Sequence, residues 1–319
     1  MPTYVINLDS ARDRMNFMTE QLDSQNIRFT RFPAVDGRTM TPSETRKVTT
    51  RACGMTCTAS MVGCGMSHRA VWRDMLHQGM EAALVLEDDA VLCPNFQGRL
   101  AEAMAVVPAD FDILVLGCLF LCNVKREYPW MLDVMGAFVS RRDDPWTATN
   151  GSTTVYVPER FAGTHAYVIS AKGAAKLLHL LDKISFHVDV EMNHPSVRLY
   201  AASPDLATQR DMLTSSIASF DFPEVLMPWL EHRDRNGICI AYYASVPWGQ
   251  VGGVVINAWF AIFFMVGLLA PRFAWTGVAG FFLAEIVAKR GVVSGVMPHL
   301  AAYILGVALR TYGSAFFKS

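Results

Sequence analysis

The chain has 319 residues, of which 52% are hydrophobic and 18% charged, with a mean hydropathy of +0.23 and a formal net charge of −1. That length exceeds the ~100–200 residues of an ordinary domain, so one large domain with an appendage is expected. Charge is unevenly spread: residues 251–319 hold five basic residues against one acid, and residues 1–250 hold 23 against 28. An acidic body excludes nucleic acid as the main partner, because phosphate binding needs a basic surface.

In chain order, residues 3–8 (TYVINL) read as a strand, and a helix over 13–25 follows, with Met15, Met18 and Leu22 at helical spacing. Residues 27–34 predict a second strand and Asp36-Gly37 a turn, while 38–61 are polar and carry no clear period. Gly63-Cys64-Gly65-Met66-Ser67-His68 leads into a helix over 67–78, ended by Gly79. Strands over 83–86 and 112–117 flank a helix over 97–106, and residues 163–170 and 171–181 give a further strand and helix. This rhythm predicts an α/β fold with a mixed, mostly parallel sheet, whose ligand crevice lies at the carboxyl ends of the strands. Residues 123–160 are irregular and read as active-site loops or a small insertion.

Four clusters invite chemistry. In ALVLEDDAVLCPNF (83–96) an apolar strand ends in Glu87-Asp88-Asp89. Adjacent carboxylates on a rigid support suit Mg²⁺ or Mn²⁺ with a substrate diphosphate, although a solvated turn is the plain alternative. The two-residue period of a strand sends Glu87 and Asp89 to one side and Asp88 to the other, if the strand continues. Asn7-Leu8-Asp9 with Arg12 and Arg14 could hold nucleotide phosphates, or simply form a charged helix start. Ser67 and His68 open a helix, where a lone His is as a rule structural, and no G-x-S-x-G nucleophile motif accompanies them. Thr164, His165 and Tyr167, followed by Asp189 and Glu191, could offer hydroxyl contacts and a general base.

Taken together and in order, YVINLD, GCGMSHRAVW, ALVLEDDAVLCPNF, GTHAYVISAKGAAKLL, HVDVEM and YAASPDLATQ resemble glycosyltransferase family 25, over residues 4–209. The family includes bacterial lipopolysaccharide galactosyltransferases and collagen galactosyltransferase domains. The resemblance implies a GT-A-like nucleotide-sugar fold and inverting transfer from a UDP-sugar, often UDP-galactose, to a glycan or glycolipid. By position it implies Glu87 and Asp89 as metal ligands for Mn²⁺ or Mg²⁺. It further implies donor contacts from Asn7, Asp9, Arg14, Ser67, His68, Asp88, Thr164, His165 and Tyr167. Asp189 is the expected base, with Glu191 next. The chain departs from the family's basic Asn-Leu-Asp-Arg-Arg start at Ser10 and Ala11. A non-catalytic membrane protein that binds sugar nucleotides is the second reading, and a metal-dependent phosphohydrolase the third.

The expected division is a catalytic domain over 1–215, a linker over 216–250 and a hydrophobic tail over 251–319. Residues 251–270 are uncharged, long enough to cross ~30 Å of hydrocarbon, and flanked by Trp248 and Arg272. They predict membrane attachment by a span, with in-plane helices or a buried helical subdomain as alternatives. Residues 1–9 show neither the basic start nor the apolar core of a secretory signal. The expected location is therefore the cytoplasmic face of a membrane, with seven scattered cysteines as reduced thiols.

Overall fold

The computed structural model describes residues 1–118, 142, 143, 145–210, 223, 225, 226, 244–270, 274–289, 293 and 295–316. It divides into two compact units. The first comprises Met1–Gly54 with Ala59–Asp211, and the second Met55–Thr58 with Met212–Ser319.

The first unit begins with β1 (Thr3–Asn7), α1 (Arg12–Ser24) and β2 (Thr30–Pro33). A 3₁₀ turn (Gly37–Thr39), α2 (Pro42–Val48), α3 (Arg51–Thr56) and α4 (Ala59–His77) follow. Next come β3 (Ala82–Glu87), β4 (Ala90–Leu92), α5 (Phe96–Val106) and β5 (Ile113–Val115). Then come β6 (Thr147–Asn150), β7 (Thr153–Tyr156), β8 (Ala166–Ser170), α6 (Ala171–Leu180), α7 (Val188–Met192), β9 (Leu199–Ser203) and β10 (Ala207–Gln209).

Eight strands form one mixed sheet in the order β2-β1-β3-β8-β5-β9-β7-β6. Only β8 and β7 run against the other six. The alternation of side chains along each strand builds two separate cores. Tyr4, Ile6, Ala83, Val85, Ile113, Val115, Tyr167 and Ile169 face Val71, Trp72 and Met75 of α4 and Ala174 and Leu177 of α6. Val5, Leu84, Leu86, Leu114 and Val168 face Met18 and Leu22 of α1 and Phe96 and Ala103 of α5. The unit is thus helix, sheet, helix. Each fully buried Leu of β3 contributes about 1.5–3 kcal/mol to holding the strand there.

Two differences from the sequence reading have physical causes. The polar stretch over 38–61 is helical: Thr41 caps α2 in a capping box with Glu44, behind Pro42. Helix α4 also starts eight residues before 67, so Gly63 and Gly65 lie inside it rather than before it. A Cβ on Gly63 would stand 2.5 Å from the Val35 carbonyl oxygen, so close approach of the 35–37 loop, not helix termination, is what this glycine serves.

The second unit holds a hairpin of β11 (Gly249–Val251) and β12 (Val254–Ile256), then α8 (Ala258–Leu269), α9 (Trp275–Ala288) and α10 (Met297–Phe316). The expected span over 251–270 does not form. Gly252 and Gly253 both have positive φ, +57° and +82°, which makes a two-residue hairpin turn. Asn257 then caps α8, its side chain accepting from Phe260 N at 3.0 Å. Twelve residues remain as helix, or about 18 Å. Among the described residues no helix is long and apolar enough to cross a membrane. Helices α8 and α10 pack backbone to backbone: a Cβ on Gly267 would meet Tyr303 O at 2.1 Å, and one on Gly306 would meet Phe264 O at 2.1 Å.

The cysteines also differ from expectation. Cys53, Cys57 and Cys118 are disulfide-bonded, while Cys64 and Cys93 are free thiols. Cys122 and Cys239 lie outside the described residues.

Candidate active site at the carboxyl edge of the sheet

Strand β3 ends at Glu87, and the chain turns through Asp88 and Asp89 into β4, which pairs antiparallel with β10. The turn is therefore held at both ends, by the central sheet and by the β4–β10 pair. The strand period predicts the first two acids correctly. Glu87 stays on the α4 face with His68, and Asp88 goes to the α1 face with Arg14. At Asp89 the strand has ended and the alternation no longer applies. Its carboxylate accepts from Gln209 at 2.9 Å and stands 3.7 Å from Arg14, the partner of Asp88.

Each acid has a different environment. Both oxygens of Asp88 are engaged, one by Asn7 at 2.7 Å and the other by Arg14 at 3.0 Å. Burial nevertheless lifts its pKa, against the pull of those two donors. Glu87 accepts from Thr164 Oγ1 at 2.5 Å and lies 3.3 Å from His68 Nε2. Burial would raise its pKa, but the contacts with His68 and Thr164 outweigh burial and hold it below the ordinary value. Asp89 is pushed up to about 7, first by burial and then by the negative charge of Glu87. Its Oδ1 is buried and without a hydrogen-bond partner among the described residues.

That orphaned oxygen bears on the expected Mn²⁺ or Mg²⁺. A hard divalent cation takes carboxylate oxygens, and a buried carboxylate with one vacant oxygen beside a second carboxylate fits such an ion. Asp88, with both oxygens already used by protein donors, fits a supporting role.

The remaining expected residues divide by position. Asn7, Arg14, His68, Thr164 and Tyr167 are directly linked to the acids or to their partners. His68 Nδ1 lies 2.9 Å from Tyr167 Oη, which also accepts from Trp72 Nε1 at 2.9 Å. Tyr167 is fully buried, so it orients His68 and does not meet a donor itself. His165 is buried at the start of β8, its backbone carbonyl accepting from Glu87 N and its Nε2 3.3 Å from Ala207 O. Burial lowers its pKa, leaving a neutral imidazole.

Asp9, Ser67 and Glu191 are not brought to the acids. Asp9 is exposed and pairs with Arg31 at 2.5 Å. Ser67 donates to Gly63 O at 2.7 Å and accepts from Val35 N at 2.9 Å, which ties α4 to the 35–37 loop. Glu191 accepts from Ser185 N and Oγ at 2.6 and 2.9 Å and from Arg69 at 3.3 Å. It is a buried anchor for the loop before α7. Asp189 is half-buried, and its Oδ2 accepts from Gly163 N at 3.0 Å, next to Thr164. The Cys64 thiol has its pKa raised by burial and then by the charges of Glu87, Asp189 and Asp89.

Arg31 and Gln209 were not among the expected residues. Arg31 Nε donates to Asn7 Oδ1 at 2.9 Å, turning the Asn7 amide toward Asp88. Strand β2 carries Arg31, and parallel pairing sets it opposite Val5. Gln209 sits within YAASPDLATQ, but a glutamine in a short strand carries no signal by itself.

Residues 1–192, which supply the acids, match the model of "Glycosyltransferase family 25 (LPS biosynthesis protein)". The chain belongs to glycosyltransferase family 25. It is 32% identical over 186 residues to the human "Inactive glycosyltransferase 25 family member 3", covering 55% of this chain and 28% of that one. It is 25% identical over 183 residues to mouse "Procollagen galactosyltransferase 2", covering 55% and 27%. The chain thus spans about a quarter of the length of these relatives. Among solved structures, the galactosyltransferase LgtC with donor and acceptor sugar analogues aligns at 9% identity and a TM-score of 0.34, covering 60% of this chain and 69% of that one.

Proposed function

We propose that this chain is a glycosyltransferase with a GT-A-like site, moving a sugar, galactose first among candidates, from a UDP-sugar to a glycan or glycolipid acceptor such as lipopolysaccharide. The observation that carries this reading is the vacant, buried Oδ1 of Asp89 beside Glu87, at the carboxyl edge of a sheet in a family 25 chain. The name of the mouse procollagen galactosyltransferase supports galactose.

Glu87 and Asp89 would hold Mn²⁺ or Mg²⁺, which supplies Lewis-acid stabilisation of charge on the leaving diphosphate. Arg14, fixed by Asp88, keeps a positive charge at that edge. Asp189 takes the proton of the acceptor hydroxyl as its oxygen forms a bond to the anomeric carbon. The bond from that carbon to the diphosphate oxygen breaks, its electron pair leaves with UDP, and the configuration inverts. His68, oriented by Tyr167 and Trp72, fixes Glu87.

The test is release of UDP from a panel of UDP-sugars with Mn²⁺. Turnover of one donor, lost in Asp89→Ala, is the expected result. Full activity in Asp89→Ala would overturn the metal assignment. A non-catalytic sugar-nucleotide-binding role is the second reading, favoured by the inactive human relative at 32% identity. It predicts donor binding without UDP release.

A further inference from the structure

Cys64 and His68 are four residues apart on α4, so their side chains leave the same face of the helix one turn apart. Glu87, at the end of β3, reaches that face. The cysteine sulfur, an imidazole nitrogen and a carboxylate oxygen all lie within 4.8 Å of one another. We infer that Cys64, His68 and Glu87 form a binding site for a thiophilic divalent cation of the Zn²⁺ or Co²⁺ class, which shares Glu87 with the oxygen site proposed above but differs from it in its sulfur and nitrogen donors.

Three observations support this. The first is spacing. A tetrahedral ion with bonds of roughly 2.0–2.3 Å sets its ligand atoms about 3.3–3.8 Å apart. His68 Nε2 and Glu87 Oε1 already stand at 3.3 Å, and the Cys64 sulfur lies within 4.8 Å of the ligand atoms of both residues. The second is the donor set: thiolate and imidazole select Zn²⁺ or Co²⁺, whereas Mg²⁺ prefers carboxylates and water. The third is outer support. His68 is buried with its far nitrogen 2.9 Å from Tyr167 Oη, and Thr164 holds the Glu87 carboxylate. A metal-bound histidine characteristically has its other nitrogen fixed in this way. The negative charges of Asp189 and Asp89 also act on this sulfur, which favours a cation. On binding, Nδ1–H is donated to Tyr167, Nε2 gives its lone pair to the ion, and the thiol proton leaves to solvent as the sulfur–metal bond forms.

The experiment titrates Co²⁺ into chelator-treated full-length protein and reads the thiolate-to-cobalt charge-transfer band. A single equivalent is expected to saturate the band, which is lost in Cys64→Ser and kept in Cys93→Ser. Tyr167→Phe should weaken Co²⁺ binding roughly 10- to 100-fold while the band keeps its shape. Zn²⁺ should abolish the band, and excess Mg²⁺ should leave it. In the unsubstituted chain, Zn²⁺ should also protect Cys64 from iodoacetamide, a readout that needs no variant to fold. Absence of the band, its persistence in Cys64→Ser, displacement by Mg²⁺ or unprotected alkylation would each overturn the inference. No donor sugar enters these measurements, so failure of the transferase reading leaves this result standing, and the converse also holds.

Discussion

The two units use apolar sequence in opposite ways. In the first, ALVL of β3 is fully inside the sheet, and the charges that follow are held at its edge by Asn7, Arg14, Thr164 and Gln209. In the second, apolar side chains are left outside. Leu269 is 71% exposed, Val287 69% and Trp275 61%, although Glu285 is fully buried and accepts from Val225 N at 2.7 Å. A small buried cluster of Trp259, Phe263, Phe282, Val296 and Ala302 holds this unit together. High hydropathy therefore marks two different things in one chain: a strand enclosed on both faces, and short helices that are not.

Four experiments can break or sharpen that contrast. The largest effect is expected at Asp89. Asp89→Asn keeps an acceptor for Gln209 but removes the charge, and UDP release should fall by about 10²–10³-fold, measured under saturating Mn²⁺. Next is the helical unit. Gly306→Val places carbon against the Phe264 carbonyl and should cost about 1–3 kcal/mol, seen as a lower thermal midpoint for that unit's transition. Unchanged melting would mean that α8 and α10 are not closely packed.

Trp72→Phe, in the core beneath the acids, removes the Nε1–H that donates to Tyr167 Oη. A loss of about 1 kcal/mol in urea unfolding is expected from the hydrogen bond, with more from the smaller ring. The smallest effect concerns pH. Asp205 is raised to about 7 by burial, which the backbone N–H of Cys118 only partly offsets. A carboxyl with a raised folded-state pKa favours the folded protein most at pH below its ordinary value of 3.8, and that contribution is lost as pH rises through about 7. Asp205→Asn should flatten the stability profile between these limits. A slope identical to that of the unsubstituted protein would show that Asp205 is solvated.

Much of the first unit is legible from sequence because its central strands are short apolar runs bounded by turns, along which side chains still alternate with a period of two. Glu87 and Asp88 follow directly from that period. Asp89 does not, since its direction depends on β10, more than a hundred residues further along the chain. Ser67 and Glu191 were candidate site residues by their place in motifs, yet their partners, Gly63 and Ser185, come from packing that no local pattern reveals. The span expected over 251–270 shows the converse. Hydropathy averaged over twenty residues hides Gly252-Gly253 and Asn257, three residues whose turn and capping chemistry decides the structure.

The family match stops at residue 192, but the sheet does not. Strand β9 comes later and sits in the interior of the sheet, between β5 and β7, and β10 brings Gln209 to Asp89. A fragment cut where the family match ends would lose a central strand, detach the β6–β7 hairpin from its neighbour and free one side of the acidic turn. The segment that the family model matches and the segment that completes the sheet are thus different lengths of chain.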